Sequence, residues 1–315
     1  MTGVAAGETA GEVAGRAGPH GGFRAGFACF VGRPNTGKST LTNALVGDKV
    51  AITSPRPQTT RHAIRGIVHR DDAQLVIVDT PGLHKPRTLL GERLNDIVRT
   101  ALAEVDVVGL CIPADERIGP GDRFLVGELA GVRTPVIAIV TKADAVGREA
   151  VAAQLLAATR LHDFAEVVPV SATTGFQVDV LADVLVGHLP ESPPLYPEGE
   201  LTDEPELVMI AELIREAALD GVRDELPHSI AVLVDELLPH EGRADMIDVH
   251  ASLYVERDSQ KAIVIGAKGS RLRDVGTVAR QQIERLLGTR VYLDLRVRVA
   301  KDWQRDPKQL RRLGF

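Results

Sequence analysis

Gly32-Arg33-Pro34-Asn35-Thr36-Gly37-Lys38-Ser39, followed by Thr40, decides the reading of the first half of this 315-residue chain. The segment has the form G-x-x-x-x-G-K-[ST]. An apolar run, Phe27–Val31, precedes it, and a stretch suited to a helix, Ser39–Val46, follows it. In that context the glycines let backbone N–H groups curl around phosphate oxygens. Lys38 adds a point charge, Ser39 offers a hydroxyl to Mg2+, and the helix start contributes its positive dipole end. A glycine-rich turn matching by chance would lack the strand before and the helix after. The loop is not the G-x-G-x-x-G that a dinucleotide-dependent enzyme requires.

Outward from this loop, short apolar runs alternate with helical stretches. The runs are Leu75–Val78, Val105–Ile112, Val136–Val140 and Val167–Val170, and between them lie Leu89–Ala103, Asp122–Leu129, Arg148–Thr159 and Val178–His188. This alternation predicts an α/β domain over 26–188: a mostly parallel sheet with helices on both faces and ligands at the carboxyl ends of the strands. Residues 1–25 are rich in Gly and Ala without periodicity and are expected to be a disordered tail. Leu189–Pro205 contains five prolines and reads as a linker, which leaves 206–315 as a second, α+β domain. There Glu206–Gly221 reads as an amphipathic helix. Ser229–Val234, Met246–Glu256 and Val291–Val299 read as strands.

Three further motifs fall at predicted strand ends. Asp79-Thr80-Pro81-Gly82 places a carboxylate where P-loop proteins hold their metal. Thr60, in Pro57-Gln58-Thr59-Thr60-Arg61, could bring a second hydroxyl to the same ion. Thr141-Lys142-Ala143-Asp144 resembles the base-reading motif N/T-K-x-D, in which the Asp accepts two hydrogen bonds that guanine can donate and adenine cannot. Ser171-Ala172 resembles the loop beside guanine O6. Four motifs in this order favour GTP/GDP with Mg2+ as the bound pair. The predicted metal ligands are Ser39, Thr60 and Asp79, and Lys38, Asn35 and Thr60 are the groups expected to assist hydrolysis.

The whole-chain formal charge of −6 would argue against nucleic acid, but it is unevenly spread. From Lys261 to Phe315 there are 14 Lys and Arg against five Asp and Glu, a net +9, and the preceding 260 residues carry −15. The basic end contains Gly266-Ala267-Lys268-Gly269, a G-x-x-G loop, with Arg271 beside it and a basic helix, Ser270–Leu287, after it. Such a loop clamps single-stranded RNA backbone in KH domains. Trp303 reads as a packing anchor rather than a base-stacking residue. The two cysteines, Cys29 and Cys111, are too few and too far apart for a disulfide scaffold and suit a reducing cytoplasm. No apolar run is long enough to span a membrane.

Together the P-Q-T-T-R loop, D-T-P-G-L-H and the KH-like end resemble the Era family of bacterial ribosome-assembly GTPases, within the TrmE-Era-like superfamily, from about Gly26 to Phe315. The resemblance implies a P-loop GTPase domain followed by a KH type II domain. It further implies the 3′ region of small-subunit rRNA and the 30S subunit as partners, with Gly266, Ala267, Lys268, Gly269 and Arg271 as RNA-contacting positions. A cytoplasmic monomer is expected, with peripheral contact to the membrane as a further expectation. Thr141 departs from the usual Asn. Leu83 stands where Ras-like GTPases place a water-orienting glutamine, so slow intrinsic hydrolysis is expected. Related GTPases hold a monovalent cation with the residue matching Asn35, which implies assistance by K+. The alternative reading is a regulatory RNA-binding GTPase of the same superfamily, acting in tRNA modification or in growth and division control.

Overall fold

The computed structural model describes residues 22–315 apart from 55, 57, 58, 87 and 221–225, and of 227 and 228 only the backbone. Most of the tail expected over 1–25, together with Pro57, Gln58 and Gly221, therefore lies outside the described residues.

The first sheet has six strands in the order β2-β3-β1-β4-β5-β6. The strands are β1 (Arg24–Gly32), β2 (Ile64–His69), β3 (Ala73–Asp79), β4 (Val107–Pro113), β5 (Val136–Thr141) and β6 (Glu166–Pro169). All neighbouring pairs are parallel except the edge pair β2/β3. Every residue of β3, β4 and β5 is buried, which is why these runs carry no alternation in the sequence. Helices cover both faces: α1 (Lys38–Val46), α2 (Leu89–Glu104), α3 (Pro120–Leu129), α4 (Arg148–Ala158) and α5 (Val178–Gly187). One face packs on α1 and α5 through Leu41, Leu45, Leu181 and Leu185. The other packs on α2 and α3 through Val98, Leu102, Leu125 and Leu129.

The proline-rich segment forms no helix or strand of its own but is bound along β2 and β3. Gln74 accepts from the backbone N–H of Leu195 (2.6 Å) and Tyr196 (2.9 Å), Ile67 N donates to Leu201 O (2.9 Å), and Arg65 pairs with Asp203 (3.0 Å).

The second domain follows the order α6 (Glu206–Leu219), α7 (Leu226–Ser229), β7 (Ala231–Pro239), β8 (Met246–Val255), α8 (Asp258–Ile265), α9 (Ser270–Leu287), β9 (Arg290–Val299) and α10 (Pro307–Arg312). Its sheet runs β7-β8-β9, with β7/β8 antiparallel and β8/β9 parallel. The strand expected over Ser229–Val234 starts later and runs further. Residues 226–229 make one helical turn, and a bulge between Val234 and Glu236 carries the strand on to Pro239. Ile263-Val264-Ile265, apolar in sequence, ends α8 and buries only Val264.

Trp303 is a packing anchor, as its isolation in the sequence implies. It is fully buried, donates Nε1–H to Ser229 O at 3.0 Å, and stacks on Phe315. Around it Leu90 and Leu94 of α2 meet Ala231, Tyr254, Leu310 and Leu313, so the two domains share a small apolar core. Among the described residues, no helix is long and apolar enough to cross a membrane.

Candidate functional site

The loop Gly32–Ser39 joins β1 to α1 at the carboxyl edge of the first sheet. Gly32 is required by closeness, since a Cβ there would lie 2.6 Å from Thr36 Oγ1 and 2.9 Å from Cys111 O. Gly37 (φ +91°) turns the chain into α1, and Asn35 (φ 65°) adopts the left-handed conformation that Asn tolerates better than most residues. Lys38 is buried and donates to Gly32 O (3.2 Å) and Arg33 O (3.0 Å), so its ammonium sits inside the curl of the loop. Burial pushes its pKa down, against the pull of Asp79. Arg33 points away, pairing with Asp122 of α3 and with Glu116, both at 2.8 Å. The loop is thereby tied to α3.

Ser39, Thr60 and Asp79 meet in three dimensions. Ser39 Oγ donates to Asp79 Oδ2 (2.6 Å) and lies 2.9 Å from Thr60 Oγ1, which is 3.3 Å from the same carboxylate oxygen. Asp79 Oδ1 is buried and accepts no hydrogen bond from the described residues. Burial raises the Asp79 pKa, opposed by Ser39 and Lys38. Three hard oxygens with one lone-pair face left over fit a divalent cation. The adjoining cavity is lined by Asn35, Gly37, Lys38, Ser39, Thr40, Thr59, Thr60 and Gly82. Gly82 permits the D-T-P-G turn to press on the loop, because a Cβ would lie 2.8 Å from Pro34 N. Thr80 turns inward to Phe30 O (2.7 Å), and Leu83 is packed in the core beside α2, away from any water-orienting role.

A second cavity of about 270 Å3 continues from Gly37 and Thr40 to Thr141, Lys142, Asp144, Ala172 and Thr173. Thr141, the departure from Asn, donates its hydroxyl to Thr36 O at 2.6 Å and so still ties the base-side loop to the phosphate loop. The exposed Asp144 carboxylate is held below its ordinary pKa by hydrogen bonding from Ser171 and from Thr173 (3.1 Å). Lys142 pairs with Asp115 at 3.2 Å. Thr173 and Asp115 are additions that no motif marks, because their roles follow only from strand register.

In the second domain the G-x-x-G loop bridges α8 and α9. Gly266 (φ +73°) needs its missing Cβ, which would meet Arg271 Cβ at 2.7 Å, and Gly269 (φ +76°) starts α9. Lys268 is exposed at the loop tip with φ 51°. Beside the loop lies a cleft of about 450 Å3 between α9 and β9, lined by Arg273, Gly276, Arg280, Tyr292 and Asp294 among others. Arg271 does not line it. Its guanidinium donates to Ala218 O and Asp220 O and closes the end of α6.

Residues 27–142 match the family model described as "50S ribosome-binding GTPase", and residues 225–304 match the KH domain model. GTPase Era of Mycobacterium sp. (strain KMS) is 71% identical over 295 residues, covering 93% of this chain and 99% of the relative. GTPase Era of Streptomyces coelicolor is 71% identical over 301 residues, covering 93% and 95%. The chain belongs to the Era family of GTPases. It is accordingly a GTP-hydrolysing protein with a KH domain. Two solved Era structures superpose with a TM-score of 0.90 at 37% identity, each covering 93% of this chain and 99% of the other. One is an Aquifex aeolicus Era variant bound to GDP·AlF4−. The other is Era in complex with MgGDPNP and nucleotides 1506–1542 of 16S ribosomal RNA. The Era architecture thus runs unbroken from the phosphate loop to the C-terminal helix α10.

Proposed function

We propose that this Era-family chain couples GTP hydrolysis to binding of the 3′ region of small-subunit rRNA during 30S assembly. The observation carrying this reading is the cleft at the end of the G-x-x-G loop, where Gly269, Arg273, Arg280 and the half-exposed ring of Tyr292 line one groove. Glycines admit a phosphate backbone, arginines neutralise it, and an aromatic face can take an unstacked base. A groove of this kind suits a single strand better than an anionic membrane surface, so the basic end is assigned to RNA. The division of labour follows: 26–188 for nucleotide, 189–205 as the connecting strap, and 206–315 for RNA.

In the nucleotide domain, Gly32–Thr40 wraps the phosphates and Lys38 places its charge inside the loop. Asp144, with Lys142 and the Ser171-Ala172 backbone, selects guanine. Ser39, Thr60 and Asp79 would hold Mg2+, which when bound neutralises charge on the phosphates. Leu83, at the position of the water-orienting glutamine of Ras-like GTPases, is buried and offers no base. Rate enhancement therefore rests on electrostatic stabilisation by Lys38 and on the placement of Thr60, and turnover without an activator is slow. Asn35 is assigned to a K+ ion at the phosphates. Equal turnover in K+ and Na+ buffers would remove that role.

The test is ultraviolet crosslinking in cell lysate followed by sequencing of bound RNA. Enrichment of the 16S 3′ region is expected. Its absence, with the protein folded and active on GTP, sinks the reading. Lys268→Glu should weaken that enrichment while GTP binding persists.

A further inference from the structure

Thr60 is the one member of the oxygen cluster that comes from a loop rather than from a helix start or a strand end. What holds it there comes from the other domain. Arg215, on α6, is 1% exposed and donates to the backbone carbonyl of Thr59, the residue next to Thr60. The same guanidinium is aimed by Glu212, one turn earlier, whose Oε1 accepts from Arg215 Nε at 2.9 Å. Glu212 is itself buried, and although burial works against its carboxylate, Arg215 keeps its pKa below the ordinary value. The next residue, Glu216, takes the other end of the same segment by accepting from Thr53 N at 2.8 Å and pairing with Lys49. Positions 212, 215 and 216 share one face of α6. That face grips the segment 49–60 at both ends.

A buried ion pair is a poor choice for mere adhesion. Desolvating two charges costs about as much as their attraction returns, and an apolar pair of the same volume commonly does as well or better. Arg215 also leaves Nη1 without a hydrogen-bond partner among the described residues, a cost that leucine would not carry. What a guanidinium fork supplies and leucine cannot is a directed donor with fixed geometry.

From this geometry we infer that Arg215, aimed by Glu212, is a positioning residue of the GTPase site: it holds the Thr59 carbonyl so that the Thr60 hydroxyl stays beside Ser39 and Asp79. The second domain thereby completes the nucleotide site of the first. This inference rests on the assignment of Thr60 to the metal cradle made above. Loss of the grip weakens the triphosphate-bound state and spares the diphosphate-bound one, because loops of this class are ordered by contacts around the γ-phosphate and released on hydrolysis.

Equilibrium binding of a fluorescent non-hydrolysable GTP analogue and of fluorescent GDP, each titrated over a range of Mg2+, tests it on the full chain. Arg215→Gln should weaken analogue binding by about tenfold, the worth of a charged hydrogen bond, and shift its Mg2+ midpoint upward. GDP affinity should stay within about twofold, a change of only a few tenths of a kcal/mol. Arg215→Lys should recover part of the loss. Arg215→Gln combined with Thr60→Ala should bind the analogue no more weakly than Thr60→Ala alone. Arg93→Gln removes another bond between the domains, from Arg93 of α2 to the Phe315 carbonyl, without touching Thr59, Thr60 or Arg61, and should leave the ratio of analogue to GDP affinity unchanged. If Thr60→Ala has no effect on analogue binding, the metal role of Thr60 falls and that of Arg215 with it. If Thr60→Ala matters but Arg215→Gln does not, or Arg93→Gln changes the ratio equally, only the positioning role is overturned. Should Arg215→Gln fail to fold, Arg215→Lys against Arg93→Gln decides the same question.

Discussion

Single residues of the nucleotide domain are shaped by what surrounds them more than by their type. Cys29 and Cys111 lie on adjacent strands next to the phosphate loop, both wholly buried, and burial pushes each thiol pKa up to about 12. At neutral pH the thiolate fraction is then negligible, and the thiolate is the reactive form. Iodoacetamide should leave both residues unmodified in the native protein and label them only under denaturing conditions, as followed by intact mass. Labelling of native protein within minutes would mean that β1 and β4 open far more readily than their burial implies. Lys38 is the opposite case, a charge kept in the interior for use. Lys38→Ala should abolish measurable GTP binding and cut hydrolysis by at least about a hundredfold, the scale for losing one preorganised charge donor.

At the scale of elements, the groove proposed for RNA lies between α9 and β9, and the salt dependence of binding is expected to belong to it. Removing one phosphate-contacting arginine should lower the slope of log K against log salt by about 0.7 for a single strand. Arg273→Gln and Arg280→Gln are each expected to do so, and Arg271→Gln to act on stability instead, because it closes α6. Filter binding at several salt concentrations with thermal melts separates the two. This contrast marks where sequence reading ends. Gly32–Ser39 and Gly266–Gly269 are legible because each motif's atoms lie within one turn of chain. Thr173 beside Asp144, or Tyr292 across from Arg280, are not, because strand register and helix packing bring them together from distant positions. Adjacency to the loop points Arg271 to RNA, yet its guanidinium turns back to the end of α6, because adjacency along a helix start says nothing about which way a long side chain turns. Glu212 and Arg215 look in sequence like any solvated pair on an amphipathic helix, and only burial against Thr59 gives them a role.

For the molecule as a whole, the domains meet at two places: α6 grips residues 49–60, and a small apolar core is built around Trp303. Arg61, directly after Thr60, is fully buried with its guanidinium 5.5 Å from the Trp303 ring and 5.8 Å from that of Phe315, and it donates to Ile230 O at 2.7 Å. Burial and the nearby Arg215 lower its pKa to about 9, still charged at neutral pH. Trp303→Ala should cost about 3–5 kcal/mol in denaturant unfolding, and the lost contact should split one transition into two as the domains uncouple. A single unshifted transition would show that the α6 contacts to residues 49–60 suffice to couple the domains.

The proline-rich strap has a consequence for how far such uncoupling can go. Its 17 residues suggest a generous tether, yet Leu195, Tyr196, Leu201 and Asp203 are already bound to β2 and β3. Only Glu204 and Pro205 lie between Asp203 and α6, a joint too short for the length-dependent dilution of a flexible leash. Were the contacts between the domains to open, the second domain would swing about a short pivot and stay at high effective concentration beside the nucleotide loop. Re-engagement would then be a rotation rather than a search.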